Sequence, residues 1–426
     1  MAKTVRIGIS DIAIYLPRLK IELSTVVEKR IREGGGDQLE RILKRALEKT
    51  GAISLHFPEA WEDPVTMAAE AALRLLERGR VQLRFLRYLA TGTESGVDHS
   101  KPLAAYVIGL LKKAGFAIPQ SLSVFQTQHA CAGGTVALLG VSALLGFAPT
   151  AEECGLVVCS DVARYEKATS AEVTQGAGAV ALVVEKNPKL IELELGTAGY
   201  SSRDVDDFFR PLGSDVAKVK GAHSIRCYME AMESALLDHA EREGVAPDVV
   251  LSSADMIALH VPYPKLPYDA MIKLLGKYNA LDAQSADAFL NERGFHAMID
   301  PASRSGNIYT GSLYLSLAFL LKERFERFGR AIVGKKILLG SYGSGNTMVF
   351  ISGRVAEKAP EIIESWNFEE IWKSTPATID EYENWIARVS GSVSDFQIDL
   401  AAEQGLPNFY LSGIREDGYR EYEHQK

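Results

Sequence analysis

The stretch Ser123-Val-Phe-Gln-Thr-Gln-His-Ala-Cys131-Ala-Gly-Gly-Thr135 joins a strand-like run to the start of a small-residue helix. The helix continues from Thr135 as Val-Ala-Leu-Leu-Gly-Val-Ser-Ala-Leu-Leu-Gly, which is apolar on nearly every face. Cys131 therefore stands at the N-terminus of a predicted buried helix, where backbone N–H groups and the helix dipole favour a thiolate. A thiolate attacks acyl groups, whereas an un-ionised cysteine commonly fills an apolar core. The stretch alone leaves both interpretations open.

The size and charge of the chain limit the classes of protein to consider. Its 426 residues, 47% of them hydrophobic, suffice for two fused domains or one large layered unit. A net charge of −8, with both signs mixed along the chain, provides no broad basic surface for nucleic acid. No apolar run reaches membrane-spanning length without a charge or breaker, and no apolar signal segment opens the sequence. We expect a soluble, cytoplasmic protein that binds neither nucleic acid nor membranes.

The cysteines do not predict a metal site. Neither the spacing of Cys131, Cys154, Cys159 and Cys227 nor any flanking histidine pair suggests zinc ligation or a disulfide framework. The sequence also lacks a Walker motif and a dinucleotide-binding fingerprint. We therefore expect a reducing compartment, no metal and no organic cofactor.

Three further polar residues occupy places where a site could form. Glu94 follows a strand predicted at 85–93, and open α/β sheets bind ligands at the carboxyl ends of strands. His260 lies in a proline-stiffened loop, and Asn307 precedes a second apolar helix. Each also has an ordinary structural explanation. Glu94 would then be a loop acid or a cap, His260 a core histidine, and Asn307 an N-cap.

The rest of the pattern alternates strands and helices. A helix is predicted from Pro64, with Asp63 before it. A strand, glycine turn and strand at 156–185 are matched by a second such unit at 336–355, which favours two similar halves. The apolar runs also predict strands at 247–253 and 331–339, and a charged helical tail from about 356.

Together, the cysteine, glutamate, histidine and asparagine suit acyl transfer through a thioester. A thiolate would attack the acyl group, backbone N–H groups would stabilise the oxyanion, and a carboxylate would move a proton. Sequence spacing alone does not show that the four residues converge.

In this order, the motifs resemble those of the 3-hydroxy-3-methylglutaryl-CoA synthases of the thiolase superfamily, nearly end to end. The similar segments surround the four polar residues and two further loops. They are Gly92-Thr-Glu94-Ser-Gly-Val-Asp98-His-Ser-Lys101, Ala130-Cys131-Ala-Gly-Gly-Thr135, Ser160-Asp161-Val-Ala-Arg-Tyr165, Thr174-Gln-Gly-Ala-Gly-Ala-Val180, His260-Val-Pro-Tyr-Pro-Lys265, Gly306-Asn307-Ile-Tyr309 and Gly340-Ser-Tyr-Gly-Ser-Gly345.

The resemblance implies a thiolase-like α/β fold. It consists of two related halves, each with a mixed five-stranded sheet, in a layered α-β-α-β-α arrangement. Residues 1–186 would form the half with Glu94 and Cys131. Residues 187–426 would form the half with His260, Asn307 and the helical tail. The resemblance also implies a homodimer that buries a sheet edge.

The implied reaction joins acetyl-CoA to acetoacetyl-CoA in the mevalonate route to isoprenoids. Cys131 would take the acetyl or another short acyl group, Glu94 would remove a methyl proton, and the carbanion would attack the acceptor ketone. His260 would hydrogen-bond or protonate the acceptor oxygen, and hydrolysis would free the cysteine with release of 3-hydroxy-3-methylglutaryl-CoA. The implied substrate-binding residues are Asn307, Ser344, Gly345, Lys265, Tyr309 and Asp207.

Three departures from the family pattern concern the substrate. Ala132 stands where the family usually has Tyr, and His129 where it usually has an amide or an acid. After Lys265 the chain has Pro267, Tyr268 and Asp269, where relatives often add lysines that contact CoA phosphates. Fewer cations weaken phosphate attraction, so an acceptor on an acyl-carrier protein, as in polyketide β-branching, remains an alternative. The negative net charge does not favour an acidic carrier. An acyl-carrier protein and a thiolase are the two partner proteins that the sequence leaves as alternatives.

Two other functions compete with the condensing synthase. An initiating-type ketosynthase shares the Cys131-Ala-Gly pattern but makes its carbanion by decarboxylation, so it needs no enolising carboxylate such as Glu94. A non-catalytic scaffold with a thiolase shell would have lost polar site residues, whereas Glu94, Cys131, His260 and Asn307 are all present.

Overall fold

A computed structural model describes residues 6–34, 36–388 and 407–425 of the chain. Up to residue 186 the elements alternate between strands and helices. They are β1 (Ile7–Tyr15), β2 (Leu19–Glu22), α1 (Leu23–Glu33), α2 (Gly36–Thr50), β3 (Ser54–Phe57), α3 (Pro64–Glu77), β4 (Leu86–Gly92), α4 (Leu103–Lys113), β5 (Ser123–Thr127), α5 (Gly133–Gly146), β6 (Cys154–Ala163) and β7 (Gly176–Lys186).

Beyond residue 186 the helices are longer and the strands shorter. The elements are β8 (Ile191–Leu193), β9 (Gly199–Ser202), β10 (Phe208–Phe209), β11 (Lys218–Val219), α6 (Gly221–Glu243), α7 (Pro247–Ser253), β12 (Met256–Leu259), α8 (Lys265–Tyr278), α9 (Ala283–Glu292), α10 (Phe295–Ser305), α11 (Ser312–Phe328), β13 (Lys336–Gly343), β14 (Thr347–Val355), α12 (Ala359–Glu364), α13 (Phe368–Ile371), β15 (Thr375–Pro376), α14 (Ile379–Ala387), β16 (Phe409–Ile414) and β17 (Arg420–His424).

Each half contributes five strands to a mixed sheet. In the first half the order is β5-β4-β6-β7-β1, parallel across β5, β4 and β6 and antiparallel from β6 to β1. In the second half β12 and β13 are parallel, while β14 is antiparallel to β13, β8 and β9. Because β8 pairs with both β14 and β1, the two five-stranded sets form one continuous ten-stranded sheet.

Helices cover both faces of the two strand sets. Helix α3 packs on β1, β6 and β7, and α6 packs on β9, β13 and β14. Helices α5 and α11 lie between the halves, where the Oγ1 atom of Thr135 and the Oη atom of Tyr314 share a buried hydrogen bond of 2.8 Å. The result is the predicted layered arrangement, with the first residues of both central helices near the ends of the strands.

The start of α3 has the capping that the sequence predicts. The carboxylate of Asp63 accepts hydrogen bonds from the backbone N–H groups of Val65 and Thr66, at 2.8 and 3.1 Å, and Pro64 needs no partner for its nitrogen. Such a cap satisfies donors that the first helical turn would otherwise leave open. None of the helices in the described ranges is long and apolar enough to span a membrane.

Three local predictions are wrong. Residues 247–253 form helix α7 rather than a strand, because Pro247 starts a turn that buries Val250 and Leu251 but leaves Val249 exposed. The strand predicted at 331–339 starts later, as β13 at Lys336.

The tail predicted as helical contains helices α12 to α14 but ends in a β-hairpin, β16–β17. Its alternating side chains bury Phe409, Leu411 and Tyr422 in the apolar cluster of α3 and α4. The part of the tail prediction that falls on residues 389–406 lies outside the described residues.

Candidate active site

Cys131 lies in a tight turn between β5 and α5. The backbone N–H of Ala132 donates to the carbonyl of His129, and that of Gly133 donates to the carbonyl of Ala130. The hydroxyl of Thr127 closes the turn by donating to the carbonyl of Gly133 at 2.6 Å. This turn places the cysteine two residues before the helix begins, partly exposed towards the site.

The glycines at this junction allow two backbones to touch. A Cβ atom on Gly92, the last residue of β4, would lie 2.3 Å from the nitrogen of Gly134. A Cβ atom on Gly134 would lie 2.3 Å from the sulfur of Cys159. Only glycine fits at both positions, so the end of β4 and the start of α5 are in direct contact. The loop after β4, which carries Glu94, is therefore next to Cys131.

Glu94 and Cys131 meet inside the protein. The sulfur of Cys131 lies 3.3 Å from Oε1 of Glu94, and the glutamate side chain is 5% exposed. Burial, together with the nearby charge of Asp161, raises the pKa of Glu94 to about 8, against the opposing effect of Arg210. Burial and the adjacent Glu94 also raise the pKa of the Cys131 thiol. The expectation that the helix N-terminus favours a thiolate is therefore wrong for this site at rest.

Asp161, near the end of β6, accepts hydrogen bonds from two of the surrounding loops. Its Oδ1 atom accepts hydrogen bonds from the hydroxyl of Thr93, from the backbone N–H of Glu94, and from the N–H and hydroxyl of Ser95, at 2.7–3.1 Å. Its Oδ2 atom accepts from the N–H and hydroxyl of Thr310, at 3.1 and 2.5 Å. The sequence analysis did not select Asp161 as a site residue. Its position at a strand end, as for Glu94, was the available signal.

His260 follows β12 and is 1% exposed. Its backbone N–H donates to the carbonyl of Gly340 at 2.7 Å, and its own carbonyl accepts from the hydroxyl of Tyr228. Burial lowers the pKa of the imidazole to about 3, so the ring is neutral near pH 7 and one ring nitrogen can donate a hydrogen bond.

The end of β13 connects His260 to the cysteine turn. His260 is anchored to Gly340 of this strand, and a Cβ atom on Gly343 would lie 2.3 Å from the carbonyl oxygen of His129. Ala132 is fully buried against the same glycine, at 2.8 Å from that Cβ position. His129 is partly buried, which lowers its pKa. The histidine and cysteine loops therefore lie at the same end of the strands.

Asn307 and Tyr309 lie in the turn before α11, and Tyr309 belongs to the apolar cluster that Cys131 contacts. The Oδ1 atom of Asn307 accepts from the N–H of Tyr309 at 2.8 Å and from the hydroxyl of Ser312 at 3.0 Å, so the asparagine does stabilise the turn before α11. Its side-chain nitrogen makes no hydrogen bond with the described residues. Tyr309 is fully buried in a cluster with Phe208, against which Cys131 packs. Its hydroxyl has no partner among residues 6–34, 36–388 and 407–425.

The other predicted substrate-binding residues differ in position. Asp207 is buried and accepts from the N–H of Gly345 and from the hydroxyl of Tyr342, both at 2.8 Å. It thus shapes the turn that contains Ser344 and Gly345. Lys265 is exposed at the start of α8, and its Nζ atom donates to the carbonyl of Glu48 at the end of α2. No contact in the described structure joins Lys265 to Cys131.

Arg210 is a site residue that the sequence analysis missed. Its guanidinium donates to the backbone carbonyl of Glu94 and lies 3.7 Å from Oε2 of the same residue. No pattern in the sequence joins positions 94 and 210. Within the described ranges, no group of three or more His, Cys, Asp or Glu side chains could hold a metal ion.

The fold, with a cysteine and a glutamate that meet at the ends of its strands, defines a class, the thiolase-like enzymes. Comparisons with known proteins narrow this class. The family model for the hydroxymethylglutaryl-coenzyme A synthase N terminal matches residues 3–189, and that for the C terminal matches residues 278–423. The chain belongs to the hydroxymethylglutaryl-CoA synthase family, as its sequence motifs indicate. The prediction of a thiolase-like fold is also confirmed.

Individual relatives agree with this assignment. Hydroxymethylglutaryl-CoA synthase of Enterococcus faecalis is 28% identical over 409 residues, which cover 96% of this chain and 97% of the relative. The Haloferax volcanii synthase is 29% identical over 378 residues, with 78% and 83% covered. A solved structure, MvaS in complex with 3-hydroxy-3-methylglutaryl coenzyme A, is 33% identical, covers 100% of both chains and has a TM-score of 0.86.

Proposed function

We propose that this enzyme condenses an acetyl group held on Cys131 with acetoacetyl-CoA and then hydrolyses the thioester to release 3-hydroxy-3-methylglutaryl-CoA. The observation that carries the proposal is the 3.3 Å separation between the Cys131 sulfur and Oε1 of Glu94 in a buried site. A nucleophile and a proton acceptor must be within this reach for the two steps to follow one another. Membership of the synthase family supports the choice of substrates.

The acylation step begins from a neutral thiol. As the sulfur attacks the carbonyl carbon of acetyl-CoA, its proton passes to the adjacent carboxylate of Glu94. The carbon–sulfur bond to CoA then breaks, and Glu94 passes the same proton to the leaving CoA thiolate, which restores the carboxylate for the next step. Backbone N–H groups near Cys131 and Ser344 are the proposed donors to the developing oxyanion. The buried position of Glu94 keeps water from competing for this proton.

Condensation requires a second proton transfer at the same place. With the thiol acylated, Glu94 faces the acetyl group and removes a proton from its methyl carbon. The carbanion forms a carbon–carbon bond with the ketone of the acceptor, and neutral His260 donates a hydrogen bond to the ketone oxygen. The resulting alkoxide takes up the proton that Glu94 removed from the methyl group. The side-chain nitrogen of Asn307 is the proposed contact for the acceptor thioester. Tyr309, Ser344, Gly345, Lys265 and Asp207 stay predictions as substrate-binding residues.

The acylation step can be tested by mass. Wild-type enzyme incubated with acetyl-CoA should gain one acetyl group on the peptide that contains Cys131, and C131S should gain none. C159S is the matched control, because that buried cysteine is separated from acyl donors by the start of α5. Failure of the wild type to acylate with any short acyl-CoA would overturn the proposed function.

A second candidate uses an acceptor on an acyl-carrier protein. The observation that favours it concerns the phosphate contacts of CoA. Lys265 directs its amine to the carbonyl of Glu48 at 2.7 Å, and exposed Asp269 follows one turn later on α8. After Lys265, helix α8 has no further cation before Lys273, and fewer cations attract a CoA phosphate less strongly. The rates with acetoacetyl-CoA and with acetoacetyl carrier-protein thioester, compared at equal concentration, distinguish the two candidates.

We further propose a homodimer in a reducing cytoplasm. Strand β5 is the edge of the sheet, and the nearby helix α5 exposes Val136 and Leu144, with Phe147 beyond its end. An unpaired edge beside apolar side chains suits a second copy of the chain. The free cysteines support the compartment. The product would enter the mevalonate route to isoprenoids, with CoA thioesters as substrates and no added cofactor.

A further inference from the structure

Strands β10 and β11 form a short ribbon over the site. Phe208 pairs with Val219, and Phe209 pairs with Lys218. The ring of Phe208 packs edge-on against Tyr309, with the ring centroids 5.9 Å apart. The ribbon is thereby fixed to the same aromatic cluster that contacts Cys131. The residue after β10 is Arg210, whose largely buried side chain reaches Glu94.

Arg210 contacts both ends of Glu94. One guanidinium nitrogen donates to the backbone carbonyl and lies 3.7 Å from Oε2 of the side chain. The side chains of Arg210 and Glu94 are 15% and 5% exposed, so solvent screens their interaction only weakly. The other oxygen of the carboxylate, Oε1, faces the Cys131 thiol.

The charges near Glu94 are otherwise unfavourable to a carboxylate. Asp161 is a second buried acid, and its own charge is stabilised by donors from Thr93, Glu94, Ser95 and Thr310. The remaining titratable groups that face Glu94 are Cys131, Tyr165 and Tyr309, which are neutral or negative. In the described part of the chain, Arg210 is the cation in contact with Glu94.

We propose that Arg210 is a positioning residue that favours the ionised form of Glu94 and directs its carboxylate towards the acyl group on Cys131. This inference rests on the proposed function, because it assigns the base of the condensation step. The contact with the backbone carbonyl fixes the loop, and the contact with Oε2 leaves Oε1 free to take the proton. The ribbon thus supplies the charge that a buried base requires.

Loss of this cation has a defined consequence for the pH profile. Removal of a nearby positive charge raises the pKa of a carboxyl group, so Glu94 would keep its proton to higher pH. Below that pKa, each unit of increase reduces the ionised fraction about tenfold. A purely structural role for Arg210 would instead lower the rate equally at every pH.

The test uses acetylated enzyme, prepared with acetyl-CoA and then mixed with acetoacetyl-CoA over a range of pH. For R210Q we expect the acidic limb of the single-turnover rate to move up by about one pH unit or more, with a rate loss of about tenfold or more near neutral pH. R210K keeps a cation, so the acidic limb of its rate profile should lie close to the pH of the wild-type limb. K218Q removes an equal charge from the neighbouring strand, where Lys218 is exposed, and should leave the limb unchanged.

The outcomes separate this inference from the proposed function. If the wild type acylates and condenses but R210Q has the wild-type limb, Arg210 does not set the ionisation of Glu94. If R210Q does not fold, as judged by near-ultraviolet circular dichroism, R210K decides. In that case, an acidic limb of R210K within about half a pH unit of the wild-type limb supports the inference, and a larger upward shift of the R210K limb overturns it. If the wild type itself does not acylate, the proposed function fails.

Discussion

Asp161, in the first half of the chain, accepts a hydrogen bond of 3.1 Å from the backbone N–H of Thr310, in the second half. The other oxygen of the same carboxylate holds the loop of Glu94. One buried side chain therefore sets the distance between the loop of the proposed base and the turn before α11.

The first prediction concerns this carboxylate. In D161N an amide NH₂ group replaces one acceptor and faces donors, so several hydrogen bonds are lost at once. We expect the free energy of unfolding to fall by about 2–3 kcal/mol, the range for buried hydrogen bonds to a charged group. Urea denaturation followed by tryptophan fluorescence measures it. S95A removes one donor to Asp161 and the acceptor of the Val162 N–H, so it should cost less than D161N, about 1–2 kcal/mol. Equal losses for both variants would contradict the central structural role of Asp161.

The second prediction concerns the proposed base. E94A should still acquire an acetyl group on Cys131, more slowly than the wild type, but its condensation rate should fall by about 10²–10⁴-fold, the usual contribution of a positioned acid or base. Peptide mass reports acylation, and product formation reports condensation. Normal condensation by E94A would show that another group removes the methyl proton.

The third prediction is a pH dependence. Glu94 must be ionised to accept a proton, and burial followed by the charge of Asp161 raises its pKa to about 8. The condensation rate should therefore increase as pH rises to about 8 and level off above it. His260, whose pKa burial lowers to about 3, stays neutral over this range and adds no limb. Single-turnover rates from acetylated enzyme provide the profile, and a flat profile would argue against Glu94 as the base.

The fourth prediction concerns Asp63, which caps α3 and also holds the C-terminal hairpin. Its Oδ2 atom accepts from the hydroxyl of Tyr422 at 2.7 Å and lies 3.1 Å from Arg420. D63A should reduce the free energy of unfolding by about 2 kcal/mol, since it removes a cap and buried hydrogen bonds. D63N keeps a capping oxygen and should lose about half as much. Denaturant titration compares them, and an unchanged D63A would show that the cap is dispensable.

The sequence predicts where Cys131, Glu94 and His260 lie because all three candidate residues stand at element boundaries. Cys131, Glu94 and His260 each follow a strand, and turn residues mark those ends in the sequence. By contrast, the contact of Arg210 with Glu94 joins positions 116 residues apart, and no local pattern encodes it. The short apolar run in α7 is compatible with a strand and with a helix, and its packing against the rest of the protein determines that it is helical. The pKa of the Cys131 thiol is raised by burial and by Glu94, which belongs to the loop after β4, so the sequence around Cys131 does not encode this shift.

The most direct test of the central claim follows an isotopically labelled acetyl group from Cys131 into product. Enzyme labelled with ¹³C-acetyl-CoA is freed of excess donor and mixed with acetoacetyl-CoA, and the bound and released species are identified by mass. The account predicts that the label leaves Cys131 and appears in 3-hydroxy-3-methylglutaryl-CoA within one turnover time. Label that remains on Cys131, or that is released only as acetate, would contradict it.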